Sequence, residues 1–153
     1  MNIKIFDPYV NNETIDKLKC IKVDNLKNSF KTSDFISLHV PLTKETENLI
    51  NLESLKLMKK TSIIINTSRG GIINEIDLNK AINDGIIFGA GIDVFKNEPV
   101  NIDNPLLKND RVLLSPHSAT FTDECKIRMA KNCTQNIIDF FENKLDKSMI
   151  VKL

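Results

Sequence analysis

Ile63-Ile64-Ile65-Asn66-Thr67-Ser68-Arg69-Gly70-Gly71 is the stretch on which the rest of the chain is read. Three consecutive β-branched residues favour an extended strand buried on both faces. The two glycines after Arg69 let the backbone turn at its end. Arg69 is one of three arginines, with Arg111 and Arg128, among 21 cationic side chains. Lysine would serve for charge or solubility. A planar guanidinium fork at the mouth of a strand points instead to a group that it grips, a carboxylate above all.

Working outward, short apolar runs alternate with helical segments. Residues Asn2 to Phe6 read as a strand ending at Asp7-Pro8, and Cys20 to Val23 as a short strand. Asn25 to Lys31 reads as one or two helical turns, and Asp34 to His39 as a strand stopped by Pro41. Glu53 to Lys59 is expected to be a helix. A further helix has both ends written in sequence: Asn74 as cap, Glu75 and Asp77 at the positive end of the dipole, Gly85 at the exit. Strands are expected at Ile87 to Val94 and Arg111 to Leu114. A long helix then runs from about Thr122 to Asn143, with Ile127, Ala130, Ile137, Ile138 and Phe141 as its apolar stripe. This alternation indicates the α/β class, a parallel sheet with helices on its faces.

Bulk properties exclude several classes. The 153 residues suffice for one sizeable core. A net charge of +1 with interspersed signs argues against a nucleic-acid footprint or a polybasic membrane surface. No apolar run approaches the ~20 residues of a membrane-spanning helix, and the N-terminus has no signal-peptide character. Cys20, Cys125 and Cys133 are odd in number and lack metal-type spacing, as expected of reduced thiols in a cytoplasmic protein.

Ligands of parallel α/β sheets bind beyond the carboxyl ends of the strands. The residues to weigh there are Asp7, His39, Asn66 to Arg69, Asp93 and Ser115 to His117. An acid such as Asp7, at the end of a strand, accepts hydrogen bonds from ribose hydroxyls in dinucleotide-binding folds, although most Asp-Pro pairs are surface turns. His117 follows a strand, and a histidine side chain suits acid-base chemistry. A Glu98 carboxylate reaching it would fix its tautomer and raise its pKa; otherwise Glu98 is a solvated loop acid. His39 is read as contributing only packing or a local hydrogen bond. Gly89-Ala90-Gly91 lacks a third glycine and a helix start, so it is read as close packing within a buried strand, not as a phosphate loop.

Together these segments resemble the D-isomer-specific 2-hydroxyacid dehydrogenase family, including its phosphoglycerate dehydrogenase-like members. The matching stretches are Ser33-Asp34-Phe35-Ile36-Ser37-Leu38-His39-Val40-Pro41-Leu42-Thr43, Asn66-Thr67-Ser68-Arg69-Gly70-Gly71, Gly91-Ile92-Asp93-Val94-Phe95 with Glu98-Pro99, and Ser115-Pro116-His117. The resemblance implies a Rossmann-like parallel sheet with helices on both faces. Residues 1–117 would be a partial NAD-binding domain, and residues 118–153 a C-terminal helical segment packing back toward a substrate domain. It further implies that Arg69 binds the substrate carboxylate, that His117 exchanges the proton, and that Glu98 pairs with His117. Asp93 matches a position beside the nicotinamide end of the cofactor. Val40, Thr67, Ser68 and the segment His117-Ser118-Ala119 match further cofactor-lining positions. Asp7 matches the ribose acid, whose charge would repel a 2′-phosphate, so NAD is favoured over NADP. The implied substrates are small 2-hydroxy or 2-keto acids such as 3-phosphoglycerate, hydroxypyruvate or glyoxylate. Family members commonly pair as homodimers through the cofactor domain.

One departure stands out. The family places a first strand, a Gly-x-Gly-x-x-Gly loop and a helix ahead of the strand ending in the ribose acid, whereas Met1 opens on that second strand. The expectation is a fragment lacking the first β-α unit, with Ile3 to Phe6 deprived of an inner partner and with little or no activity on its own. The same residues are compatible with an NAD(H)-responsive, corepressor-like binding module or an inactive remnant.

Overall fold

A computed structural model describes residues 1–150. Along it run β1 (Lys4–Ile5), α1 (Asn12–Lys17), β2 (Ile21–Lys22), α2 (Leu26–Thr32), β3 (Phe35–Leu38), α3 (Leu52–Leu55), β4 (Ile63–Asn66), α4 (Glu75–Asn83), β5 (Gly89–Ile92), β6 (Val112–Leu114) and α5 (Asp123–Phe141), with short 3-10 turns at Pro105–Lys108 and Lys147–Met149. The backbone divides into two compact units, Met1–Pro116 and a second from His117 onward. Residues 151–153 of the expected C-terminal segment lie outside the described residues.

The triple-isoleucine strand is the inner rail of the first unit. β4 pairs in parallel with β3 on one side and β5 on the other, with Ile64 opposite Ile36 and Ala90, and β5 pairs with β6. Ile64 is fully buried, among a core that includes Leu38, Ile50, Leu55, Leu78 and Leu106. Gly89 belongs to the close packing read from sequence: a Cβ there would come within 2.5 Å of the Arg111 carbonyl oxygen.

α4 forms where its ends were expected. The Asn74 side chain accepts from the Asp77 amide, and Leu78, Ala81 and Ile82 form the buried stripe at helical spacing. Burying each large side chain of that stripe contributes roughly 1.5–3 kcal/mol. Asp77 also accepts the Leu52 amide at 2.9 Å, which ties α4 to the start of α3.

Several elements differ from expectation, and β1 and β2 keep two residues each of the strands expected over Asn2 to Phe6 and Cys20 to Val23. The helix expected over Glu53 to Lys59 ends at Leu55, because the following amides of Leu57 and Met58 bond three residues back and tighten the chain into a 3-10-like turn. The strand expected over Ile87 to Val94 is limited to Gly89–Ile92. α1 is foreshadowed by no apolar periodicity, since Ile15 is its single buried residue, and it is held by the Asn11 cap.

β1 and β2 form a separate two-stranded parallel sheet, so β1 has β2 as its one strand partner among the described residues. β3 is paired on one edge, with β4. Ile3, Phe6 and Phe35 beside these edges are 49%, 42% and 63% exposed. In the second unit α5 forms as expected, capped by Thr122, yet its stripe is uncovered: none of its residues is buried, and Ile127, Ile137 and Phe141 are all exposed.

The pairing pattern predicts the order of hydrogen exchange. Amides at Ile64 and Ala90 should exchange slowest, and those of β1 and β2 at least about 100-fold faster, because a two-stranded pair is marginal in water. Equal protection of the two sheets, read by NMR, would contradict the partition. In urea unfolding, Ile64→Ala should cost about 2–5 kcal/mol, whereas Ile76→Ala on the exposed face of α4 should stay within about 0.5 kcal/mol.

Candidate functional site

The carboxyl ends of β3 and β4 open side by side. After β3 the chain runs through His39, Val40, Pro41 and Leu42; after β4 it runs through Thr67, Ser68 and Arg69. These seven residues line one open cleft. Beyond the cleft the two segments that follow its walls are joined by backbone bonds, Asn48 N–H to the Gly71 carbonyl at 2.8 Å and Asn74 N–H to the Ile50 carbonyl at 2.8 Å. One wall is largely apolar and the other carries hydroxyls and a guanidinium. Thr43 and Thr46 knit the loop below the apolar wall, the Thr46 hydroxyl donating to the Pro41 carbonyl at 2.7 Å. The Thr43 hydroxyl, 2.7 Å from the exposed Glu45 carboxylate, holds that carboxyl below its ordinary pKa, helped by the Glu45 amide.

Asn66 organises the Arg69 turn. It is buried at 1% exposure; its side-chain oxygen accepts the Ser68 amide at 3.1 Å and the Ser68 hydroxyl at 2.9 Å, while its NH2 donates to the Arg69 carbonyl at 2.9 Å. A buried amide engaged through both its oxygen and its NH2 fixes a turn rigidly. The Arg69 side chain is exposed, with Nη1 donating to the Ser68 carbonyl at 2.7 Å, one of the five N–H groups of its fork.

Beyond β5 the chain carries the two acids. Asp93 is 3% exposed; its amide donates to the Asn66 carbonyl at 3.0 Å and its carboxylate accepts the Ser115 hydroxyl at 2.5 Å. Burial of a carboxylate requires such donors. Glu98 is exposed, and its Oε1 accepts the Phe95 amide at 2.9 Å. The loop bearing Glu98 lies directly on the Arg69 turn: a Cβ at Gly70 would come within 1.8 Å of the Phe95 carbonyl oxygen and 2.6 Å of the Lys96 nitrogen. Only glycine admits that approach.

The first unit thus gathers Val40, Thr67, Ser68 and Arg69 in the cleft, with Asp93 and Glu98 on the loop that abuts its arginine turn. Asp7 lies after β1, on the other sheet, and is not among the cleft-lining residues. Its Oδ1 accepts the amides of Tyr9 and Val10, at 2.8 and 3.2 Å, closing a local turn. His39 hydrogen-bonds the Ser37 hydroxyl at 2.8 Å, the local contact expected of it. His117, Ser118 and Ala119 open the second unit; His117 is exposed and holds a left-handed φ of 51°. Few non-glycine residues take that conformation, histidine more often than most.

Sequence reading assigned no role to the Asn66 and Ser115 side chains. Both have a signal in retrospect, a polar residue in the position that ends an apolar strand. Among the described residues there is no cluster of three metal-ligating side chains and no helix long and apolar enough to cross a membrane.

Comparison with known proteins gives this arrangement its relatives. The family described as D-isomer specific 2-hydroxyacid dehydrogenase, NAD binding domain, matches residues 1–119. A glyoxylate reductase of Korarchaeum cryptofilum is 40% identical over 98% of this chain and 45% of its own length. A D-3-phosphoglycerate dehydrogenase of Methanocaldococcus jannaschii is 44% identical over 82% of this chain and 24% of its own. Among solved structures, the NAD-complexed D-isomer specific 2-hydroxyacid dehydrogenase of Lactobacillus delbrueckii ssp. bulgaricus superimposes with a TM-score of 0.84 at 28% identity, covering 98% of this chain and 48% of that one. The chain spans less than half the length of these relatives. The parallel sheet, its cleft and the match over residues 1–119 together establish that the chain belongs to the D-isomer specific 2-hydroxyacid dehydrogenase family.

Proposed function

We propose that this chain supplies the cofactor-binding and catalytic portion of an NAD-dependent oxidoreductase acting on small 2-hydroxy or 2-keto acids, with glyoxylate, hydroxypyruvate and 3-phosphoglycerate as candidate substrates. The observation that carries the reading is the backbone contact at Gly70, which sets the Arg69 turn and the Glu98 loop against each other at the carboxyl edge of the sheet. The cleft fits one end of a dinucleotide. Val40 with Pro41 and Leu42 offers an apolar face to a ring, and Thr67 and Ser68 offer hydroxyls to an amide. Asp93, and the segment His117-Ser118-Ala119, complete the set assigned to that end, and Asp7 is assigned to the ribose.

NAD(H) supplies or removes the hydride. The protein does the rest. Arg69 holds the substrate carboxylate with its fork and polarises the adjacent carbonyl. As C2 takes a hydride, His117 gives a proton to the carbonyl oxygen; in oxidation it takes the hydroxyl proton back. Glu98 is the carboxylate this reading assigns as partner to His117, to fix its tautomer. The uncovered stripe of α5 is the face this reading assigns to a substrate domain, and a homodimer formed through the cofactor domain is the assembly it favours.

Two measurements test the roles. On the chain itself, Glu98→Gln should lower the NMR titration midpoint of His117, since removing a neighbouring carboxylate withdraws stabilisation from the imidazolium; an unmoved midpoint would remove Glu98 from its role. In a polypeptide joining this segment to a substrate domain, Arg69→Lys should raise KM and lower kcat together, because lysine keeps the charge and loses the fork. His117→Ala should lower kcat by roughly 10²–10⁴-fold. Unchanged kinetics for Arg69→Lys would sink the carboxylate-binding assignment.

A further inference from the structure

We propose that Glu75, the first residue of α4, is the positioning residue for Glu98, a role that rests on the reading of Glu98 given above. The Glu75 carboxylate reaches out of its helix with both oxygens. Oε1 accepts the backbone amide of Lys96 at 2.6 Å, and Oε2 accepts the side-chain amide of Asn104 at 2.6 Å. Those two contacts grip the two ends of the segment that carries Glu98.

Each end is firm for its own reason. At the near end the Phe95–Lys96 peptide is held between Gly70, where no Cβ fits, and the Glu75 carboxylate. At the far end Asn104 turns its other side-chain atom, Oδ1, to the Leu106 amide at 3.0 Å, capping the 3-10 turn whose Leu106 is fully buried. Asn104 therefore cannot flip its amide without forfeiting its cap. Between the clamped ends, Asn97 through Asp103 are mostly exposed, and the Glu98 carboxylate accepts the amide of Phe95, one residue before the clamped nitrogen. The position of Glu98 is thus referred back to α4 through Glu75.

The chemistry of the clamp is specific to a carboxylate. It must accept from two donors at once, one on each oxygen. Glutamine has one acceptor and one NH2, so in either orientation it would set two donors facing one another. Aspartate is one methylene too short to span both partners. A residue serving only the helix dipole would tolerate either change with modest fraying of the first turn.

The test is hydrogen–deuterium exchange on the 153-residue chain, followed over peptides covering residues 63–66, 75–83 and 95–104. Glu75→Gln should exchange residues 95–104 at least about tenfold faster while β4 and α4 keep their protection. Asn104→Ala should open the same segment, and the double variant should add little to either change. An unaltered loop, or fraying of α4 equal to that of the loop, would overturn the proposal. NMR titration of His117 supplies the readout that a purely structural anchor would not move: Glu75→Gln should lower the midpoint in the same direction as Glu98→Gln. If Glu98→Gln shifts the midpoint and Glu75→Gln does not, Glu75 does not position the carboxylate and the proposal fails. If Glu98→Gln leaves the midpoint in place, the pairing of Glu98 with His117 fails instead, and exchange alone decides whether Glu75 fixes the loop.

Discussion

Everything at the candidate site depends on one strand having no freedom. β4 is hydrogen-bonded along both edges and packs Ile64 into the core, so neither register nor facing can slip without exposing isoleucine to water. The residue that ends such a strand is placed as firmly as the core itself. Asn66 occupies that place, and its side chain passes the rigidity on to the next three residues by bonding Ser68 and the Arg69 carbonyl. The guanidinium is exposed and able to meet a ligand, while the backbone that carries it is fixed from below.

From that anchor the site extends by backbone contact. β5 runs beside β4, and Asp93 continues the ladder by one hydrogen bond to Asn66 before the chain leaves the sheet. Two residues later the Phe95–Lys96 peptide touches Gly70 and is caught by Glu75. The turn after β4, the first residue of α4 and, some twenty residues on, the loop after β5 meet at a single peptide unit. Such a junction costs little entropy to keep ordered, because each participant is already held by its own element.

Much of this was legible in the sequence, for identifiable reasons. The β4 strand and the caps of α4 follow from local chemistry: β-branched stiffness, an asparagine cap, acids at the positive end of a helix. Their places after strands picked out Arg69, Asp93 and Glu98. Less legible was what depends on a partner distant in sequence. Glu75 reads as an ordinary first-turn acid, and nothing local tells that its two oxygens reach Lys96 and Asn104, 21 and 29 residues away. Gly70 reads as a turn glycine, although its need for glycine comes from the Phe95 carbonyl. The exposure of the α5 stripe is equally unreadable, because periodicity marks an apolar face without saying what covers it.

The contact at Gly70 also bears on how such a site can diversify. Where two backbones touch with no side chain between them, no substitution at the contact can move one strand of chain relative to the other and leave both intact. Variation is displaced to where the chain is slack, the exposed run from Asn101 to Asp103 beyond Glu98. A lineage altering this site would hold Gly70 and Glu75 constant while changing that border, so that the spacing between arginine and glutamate is inherited and their surroundings are not.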